Sequence, residues 1–171
     1  MISTRILPLA SLLLAASIFG FFYAWVCSTM WGLDASEPAI AIQAMQAMNA
    51  SVRNAIFFPA FFLTPVVLLI TTAALVRKGR GDAGLWFGLA AVVYGAGGFG
   101  VTVIVNVPMN EALALIDLPV APAAAEAIWR DYSSPWQTWN QVRTLACAAA
   151  VLLTGIGLLA TGTVSNRTTP Q

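Results

Sequence analysis

Side chains able to take part in chemistry are concentrated between Trp129 and Thr144, in the segment WRDYSSPWQTWNQVRT. The segment holds three Trp, one Tyr, one Asn and two Arg, and it leads into an apolar run over residues 145–162 that is typical of a membrane helix. Burial of amides and charges in a bilayer costs free energy, so such groups are usually paired with each other or take part in function. The segment therefore predicts a polar, aromatic site.

Helical spacing extends this site to two other parts of the chain, because residues three or four apart share a face. The resulting stripes are Asn49 with Arg53, Asn106 with Asn110, and Trp136 with Trp139, Asn140 and Arg143; Glu111 directly follows the second. In an antiparallel bundle these stripes lie at one depth. We expect them to line one outward-facing cavity with two guanidiniums, a carboxylate, amides and aromatic walls. Such a cavity suits a flat organic molecule with polar edges.

A plainer interpretation applies to several of these residues. Trp and Tyr are enriched at membrane interfaces as anchors, and Arg at a helix end extends to the headgroups. Trp129, Arg130, Tyr132 and Trp136 fit that role, and Glu111 is free to pair with Arg143 or Arg53. Anchoring needs no amide at Asn106 or Asn140, so for these two and Arg143 we favour a role in function or in a polar network.

Composition sets the class of protein that holds the cavity. The 171 residues are 59% hydrophobic and 9% charged, with a mean hydropathy of +0.81, whereas soluble domains carry about 25% charged residues. The chain is therefore predicted to be an integral membrane protein and a single transmembrane domain, 1–171. A net charge of +1 gives no reason to expect a nucleic-acid partner.

The chain contains no histidine, which removes the commonest metal ligand and neutral-pH base. We therefore predict no metal site and no cofactor. Cys27 and Cys147 lie inside apolar runs without a C-x-x-C motif, and buried thiols of this kind are usually small hydrophobes. The sequence leaves open whether the two thiols meet.

Four apolar stretches are long enough to cross about 30 Å of hydrocarbon. They cover residues 6–31, 55–76, 83–105 and 139–161. The predicted fold is all-α: a membrane-embedded antiparallel four-helix bundle, with short extracytoplasmic helices in the two outer loops, 32–54 and 106–138. One of these helices covers residues 39–53, and the other follows Pro119 and Pro122 and ends near Tyr132.

Charge predicts the orientation. The linker Arg77-Lys78-Gly79-Arg80 is basic, and short cytoplasmic loops retain Lys and Arg. Both termini are then cytoplasmic, in keeping with Arg5 and Arg167, and six of the seven acidic residues fall in the outer loops. Pro59 and Pro65 are expected to kink the second span, and the freed carbonyls to bond to neighbours or to Thr64.

The run GAGGFG, residues 95–100, matches a dinucleotide-binding pattern only in form, because no strand precedes it and it lies in mid-membrane. Its glycines are expected to form a smooth face for close helix packing.

Three motifs in this order resemble the anthrone-oxygenase-like family of small membrane proteins, many of which are described only as a domain of unknown function. They are AIQAMQAMNASVRN at 41–54, VNVPMNEAL at 105–113, and W-x-x-Y followed by W-x-x-W-N-x-V-R-T at 129–144. The likeness covers residues 22–155. Its most specific part pairs Asn106-x-x-x-Asn110 with Trp139-Asn140-x-x-Arg143-Thr144.

The resemblance implies oxidation of an anthrone to an anthraquinone by molecular oxygen without metal or flavin. On that hypothesis the catalytic residues are Glu111, Arg143, Asn140 and Asn106, and the substrate-binding residues are Asn49, Arg53, Asn110, Trp139, Trp136 and Tyr132. The two Arg hold the substrate anion and the Asn residues orient its oxygens. Glu111 or Asp34 serves as base, a role that an ion pair to Arg143 would weaken.

Two other functions remain open. One is a non-catalytic membrane protein that binds a small lipophilic or aromatic ligand or acts as a scaffold. The last is a small transporter, which is ranked lowest because no second polar cluster marks the inner half of the spans. An enclosed cavity favours an enzyme or a ligand binder, whereas mutual satisfaction of Arg143 and Glu111 favours a scaffold. The sequence gives neither the substrate nor the oligomeric state.

Overall fold

The computed structural model describes residues 3–162, and within that range the chain forms helices and no strands. Four helices are long and apolar enough to span a membrane, and a fifth lies between the first two. They are α1 (Arg5–Asp34), α2 (Pro38–Ser51), α3 (Phe57–Val76), α4 (Gly81–Ala114) and α5 (Pro122–Gly162). The predicted all-α membrane bundle is confirmed.

The spanning helices form a closed square. Helix α1 packs against α3 and α5, and α4 packs against the same two helices. Short connections join neighbours, so successive spans run antiparallel, as in other up-and-down bundles. At 1.5 Å per residue, α3 is about 30 Å long, whereas α4 and α5 reach about 50 and 60 Å. Helices α1, α4 and α5 are therefore longer than α3, and the end of the bundle at which α3 begins is here called the upper end.

Helix α2 covers this upper end. Its Ile42 and Met45 are completely buried, as the predicted apolar stripe requires. They join a core formed with side chains of α1, α4 and α5, including Trp25, Leu113 and Trp129. The apolar face of α2 thus packs on protein, and the helix caps the three long spans beside the start of α3.

The lower half of the bundle is packed through small residues. A Cβ on Gly97 of α4 would overlap the Cβ of Ala146 on α5, and one on Gly98 would lie 2.9 Å from Sγ of Cys147. Close approach of these helices requires glycine at both positions. By contrast, a Cβ on Gly95 would meet nothing within 4 Å. The packing function predicted for GAGGFG therefore belongs to its middle glycines.

We expect Gly97→Ala to lower the stability of the protein by about 1–3 kcal/mol, because the added methyl forces α4 away from α5. The measurement is the midpoint of thermal unfolding of the detergent-solubilised protein. Gly95→Ala is the matched control and should not lower it. The double variant Gly97→Ala, Ala146→Gly moves the methyl to the other helix and should recover the loss; no recovery would show that the clash is elsewhere.

Pro65 lies inside α3 and cannot donate to the carbonyl of Phe61, four residues earlier. The hydroxyl of Tyr94 on α4 donates to that carbonyl at 2.8 Å. The expectation that a neighbouring helix satisfies the freed group is confirmed for this proline. Pro59 falls in the first turn of α3, where helical N–H groups have no partner to lose.

The fourth span differs most from its predicted bounds. The segment after Pro122 is helical, as expected, but it does not end near Tyr132; it continues through Pro135 into the membrane as one helix of 41 residues. Buried side chains explain the continuity. They recur every three or four residues along α5, at 125, 129, 133, 136, 140, 143, 147 and 150. A single uninterrupted stripe faces the bundle, and it favours one helix across the proline.

The turn from α3 to α4 contains the basic residues Arg77 to Arg80, with Gly79 at a φ of +72°. It lies at the lower end, so the charge pattern places that end in the cytoplasm. This orientation stays a prediction, and Arg167, which supports it, lies outside the described residues. Cys27 is exposed and Cys147 is buried, and both thiols are free.

Candidate functional site

A cavity of about 910 Å³ occupies the upper half of the bundle. It forms where α3 begins. Helices α1, α4 and α5 continue upward past Phe57, and α3 does not, so the bundle lacks its fourth helix above that point. The end of α2 and the connection 52–56 lie beside this gap and line the cavity as well. All four spans contribute side chains, and most of the lining is apolar. The polar groups fall into two sets at different depths.

The deeper set centres on Arg143, which lines the cavity although only 5% of the residue is exposed. Its Nε donates to Oδ1 of Asn140 at 3.0 Å, and its Nη1 donates to Oγ1 of Thr102 at 3.3 Å. Asn140 is itself fixed, since its Nδ2 donates to the carbonyl of Phe22 at 3.2 Å. The guanidinium is therefore held in one orientation by α1, α4 and α5 together.

Two aromatic rings flank this guanidinium. Its Cζ lies 4.3 Å from the ring centroid of Phe22 and 5.0 Å from that of Trp136, within the range of cation–π attraction. Within residues 5–162 Arg143 forms no ion pair with a carboxylate; both ion pairs found there involve other arginines. The floor of the cavity thus presents a positive charge between apolar rings.

The second polar set lies at the mouth. Nη2 of Arg53 is 3.6 Å from Oε1 of Glu111, and both side chains are more than half exposed. An exposed pair of this kind contributes at most about 1 kcal/mol to stability. Of the two pairings considered for Glu111, the structure has the one with Arg53. Residues 102 and 111 are nine apart on α4, so Glu111 sits about 13 Å above the contact between Thr102 and Arg143.

Hydrogen bonds tie the wall of the cavity to the cap. Oδ1 of Asn110 accepts from the Tyr132 hydroxyl and from Nε1 of Trp136, both at 2.8 Å. Nδ2 of Asn49 on α2 donates to the Tyr132 oxygen at 3.4 Å. Asn49, Asn110 and Trp136 line the cavity, whereas Tyr132 stands behind them. This network fixes the Trp136 ring, which also packs 5.1 Å from that of Trp25.

Asn106 is fully buried, and its amide is only partly satisfied. Nδ2 lies 3.5 Å from the carbonyl of Trp136, and Oδ1 has no partner among the described residues. An unpaired acceptor in a protein interior costs about 1–3 kcal/mol. Asn106 does not line the cavity, and its one hydrogen bond joins it to the backbone of Trp136, which does.

Asp34, the alternative base, also lies outside the cavity. Its Oδ1 accepts from Nε1 of Trp129 at 3.0 Å and from the Ser133 hydroxyl, and its Oδ2 accepts from Nε2 of Gln137 at 2.8 Å. Three donors on α5 therefore converge on one carboxylate at the end of α1. This arrangement joins the upper ends of α1 and α5 and leaves no contact with a molecule in the cavity.

We expect Asp34→Leu to lower stability by about 2–3 kcal/mol, because three donors on α5 lose a charged acceptor. The rate of the oxidation that the resemblance implies should change little per folded molecule. Thermal unfolding and an activity assay at a temperature well below the midpoint separate the two effects. A rate lost at unchanged stability would instead return Asp34 to the site.

The structure brings six of the ten predicted site residues to the cavity: Asn49, Arg53, Asn110, Glu111, Trp136 and Arg143. Asn106, Tyr132 and Asn140 lie behind the wall. Trp139 is 39% exposed on the outer face of α5 and fits the anchor interpretation. That interpretation fails for Trp129, Tyr132 and Trp136, whose rings are buried in the protein.

Sequence reasoning missed three residues of this site. Phe22 and Trp25 lie in an apolar span where nothing distinguishes a cavity wall from a lipid-facing ring. Thr102 bonds to Gly98 within its own helix, as many membrane threonines do, so its contact with Arg143 has no sequence signal. Trp25 and Thr102 begin π-helical turns, at Trp25–Thr29 and Thr102–Asn106, and such turns are frequent at functional sites.

Fold and cavity together define the class: a four-span helical membrane protein with a polar, aromatic cavity at one end of the bundle. The sequence model of the anthrone oxygenase family matches residues 45–153, which is more than half of the chain, so this protein belongs to that family. The match includes every predicted site residue but not α1, which supplies Phe22 and Trp25. No curated protein and no solved structure matches the chain.

Proposed function

We propose that this protein catalyses cofactor-independent oxygenation of an anthrone-like or phenolic, quinonoid compound in the upper cavity. Family membership suggests the reaction. The observation that carries it to this site is the fixed guanidinium of Arg143, which stands at the floor of an aromatic cavity without a carboxylate partner in the described chain. A preorganised positive group in a dry, apolar setting stabilises an anion formed from a bound substrate.

The reaction needs no external electrons. A base removes one proton from the CH₂ carbon of the anthrone, and the electron pair moves into the ring system as a phenolate. This anion passes one electron to O₂, and the resulting radical and superoxide combine to form a C–O bond. Protonation gives a hydroperoxide, which loses its remaining C–H proton as its O–O bond breaks. The CH₂ becomes C=O, and O₂ supplies that oxygen and the oxygen of one water.

The cavity offers groups for each part of this sequence. Arg143 holds the phenolate oxygen, and the rings of Phe22 and Trp136 provide flat apolar walls. Among the residues that the structure describes, Glu111 is the only carboxylate in the cavity lining, and it is assigned as the base. Because Glu111 lies about 13 Å above the Thr102 contact of Arg143, the central ring of an anthrone, which carries the phenolate oxygen and the CH₂ carbon at opposite positions, has to lie between these two side chains.

Access from the bilayer suits a lipophilic substrate. Phe58, Phe62 and Val103 line the cavity yet are 41, 47 and 46% exposed, on the first turns of α3 and the facing part of α4. These side chains belong to two spanning helices, and we infer that their exposed parts lie in the hydrocarbon. A planar molecule dissolved in the membrane therefore has an apolar path to the floor between α3 and α4.

The test is oxygen uptake by purified, detergent-solubilised protein with emodin anthrone, corrected for autoxidation in empty micelles. We expect uptake well above that background, with one O₂ consumed for each anthraquinone formed. Protein that is folded by circular dichroism and gel filtration but gives no acceleration would rule out this activity on this substrate.

A non-catalytic ligand-binding protein is the second candidate, and one observation favours it. Glu111 is paired with Arg53 at the exposed mouth instead of standing beside the deep guanidinium. If no variant or substrate gives turnover, mass spectrometry of lipophilic molecules that copurify with the protein identifies the ligand. A transporter is supported least, because the lower half of the bundle is filled by close packing around Phe87, Leu68 and Cys147.

A further inference from the structure

The hydrogen-bond inventory of Arg143 leaves one end of the guanidinium unused. An arginine carries five N–H donors. Nε–H bonds to Asn140 and one Nη1–H to Thr102, and the rings of Phe22 and Trp136 lie 4.3 and 5.0 Å from Cζ. Nη2 has no hydrogen-bond partner in residues 5–162. Nη2 is not a fully buried atom without a partner, and the Arg143 side chain borders the cavity.

This arrangement is expensive without a ligand. A charge buried in apolar surroundings costs free energy unless it is paired and hydrogen-bonded. The rings offset part of the cost through cation–π attraction, and the two neutral acceptors offset a little more. Neither supplies negative charge. A cavity of about 910 Å³ next to the free donors leaves room for a molecule that does.

We propose that the cavity selects lipophilic aromatic ligands that carry an anionic oxygen, a phenolate or a carboxylate, and that this oxygen pairs with Nη2 of Arg143 in the resting complex. The inference deepens the proposed function by naming the ionised form as the one that binds. It differs from stabilisation of the anion that forms when the CH₂ carbon loses its proton, because here another oxygen of the ligand, on a ring hydroxyl or a carboxyl group, is already charged before Glu111 acts.

The surroundings define the rest of the ligand. Between the floor and the mouth the walls are aromatic, with Trp25, Phe57 and Phe61 among the lining side chains. The second guanidinium, on Arg53, is paired with Glu111 and more than half exposed, so water and the carboxylate screen its charge. The anionic end of the ligand is therefore directed inward, and a flat body lies along the rings above it.

The experiment uses 2-hydroxyanthraquinone, whose phenolate absorbs at a longer wavelength than its phenol. Its absorbance is titrated with pH in detergent micelles, with and without the protein. We expect the bound dye to ionise about 1–3 pH units below the dye in empty micelles, because a cation within a few ångströms favours the charged form. No shift, or a shift to higher pH, would overturn the proposal.

Variants locate the effect. Arg143→Leu should return the midpoint to the micelle value, whereas Arg143→Lys should keep part of the shift. Arg130→Leu is the matched control, since Arg130 is exposed on the same helix and does not line the cavity, and it should leave the shift intact. Arg53→Leu removes the other guanidinium of the same cavity and tests where the anion lies. An equal loss in Arg53→Leu would place the anion at the mouth and contradict the assignment.

Unmodified protein gives an independent test if the Arg143 variants do not fold. Anthraquinone-2-carboxylate should bind about 10- to 100-fold more tightly than its neutral carboxamide, as the strength of charge-assisted hydrogen bonds implies. Quenching of tryptophan fluorescence reports binding, because Trp25 and Trp136 border the cavity. Equal affinities would contradict the proposal.

The same assay separates sources of the anion. Laurate, a fatty acid, should compete less well than the aromatic carboxylate; stronger competition would overturn the aromatic part of the inference. Neither readout requires turnover. If the protein binds the phenolate but consumes no oxygen, this inference stands and the proposed function is wrong. If it consumes oxygen with the anthrone but does not favour the phenolate, the proposed function stands and this inference is wrong.

Discussion

Replacement of Arg143 by leucine is expected to lower the proposed anthrone-dependent oxygen uptake by at least about 100-fold, the loss that follows when a preorganised donor to an oxyanion is removed. The guanidinium is held by Asn140 and Thr102 and is the only cation at the floor of the cavity. Leucine fills a similar volume between Phe22 and Trp136 but offers no positive charge. The substrate anion then has no partner in an apolar site.

The protein should survive this change. Replacing a buried, unpaired charge by an apolar side chain is often neutral or stabilising, although here Asn140 loses its donor. Insertion, gel filtration and thermal unfolding check that point. Arg130→Leu is the matched control from the same helix: Arg130 is exposed, pairs with Asp131 and does not line the cavity, so uptake should be unchanged.

Arg143→Lys sharpens the result. Lysine keeps the charge but cannot donate to Asn140 and Thr102 in the same plane, so a partial recovery of rate is expected. Full activity in Arg143→Leu, in folded protein, would show that the deep guanidinium does not act in the reaction. A variant that fails to accumulate in membranes would instead mark Arg143 as structural.

The periodicity of the sequence determined much of this site. Helical spacing predicted that Asn106 shares a face with Asn110, and Trp136 with Arg143. Those side chains do lie at one end of the bundle. Periodicity does not indicate how far a helix continues beyond the bilayer. Because α4 continues to Ala114 and α3 starts only at Phe57, Glu111 rises above the floor and meets Arg53 instead of Arg143.

Other features depend on contacts between helices that have no local signature. Phe22 stacks on Arg143 only because α1 and α5 pack side by side, and its own span is apolar throughout. Asp34 lies outside the cavity for a similar reason: its three donors come from 95 to 103 residues later in the chain. Tertiary packing decides which polar group reaches the cavity, and a single sequence does not predict that packing.

Replacement of Glu111 by glutamine is expected to lower the oxygen-uptake rate by about 10²- to 10⁴-fold near neutral pH, the usual contribution of a positioned general base. Glutamine has nearly the same shape and keeps an oxygen for Arg53, but it does not take a proton from the substrate. Glu111 is the one carboxylate along the cavity lining, so no other acid of the described chain replaces it there.

The pH dependence of this variant distinguishes a base from a residue that only positions Arg53. Hydroxide removes the same proton as the pH rises, so the rate of Glu111→Gln should climb toward that of the unmodified protein, whereas a positioning defect would persist at all pH values. Glu126→Gln, the same change on an exposed carboxylate of α5 outside the cavity, should leave the rate unaltered. If Glu111→Gln keeps full activity, proton removal belongs to water, and the deep arginine alone has to favour ionisation by stabilising the anion.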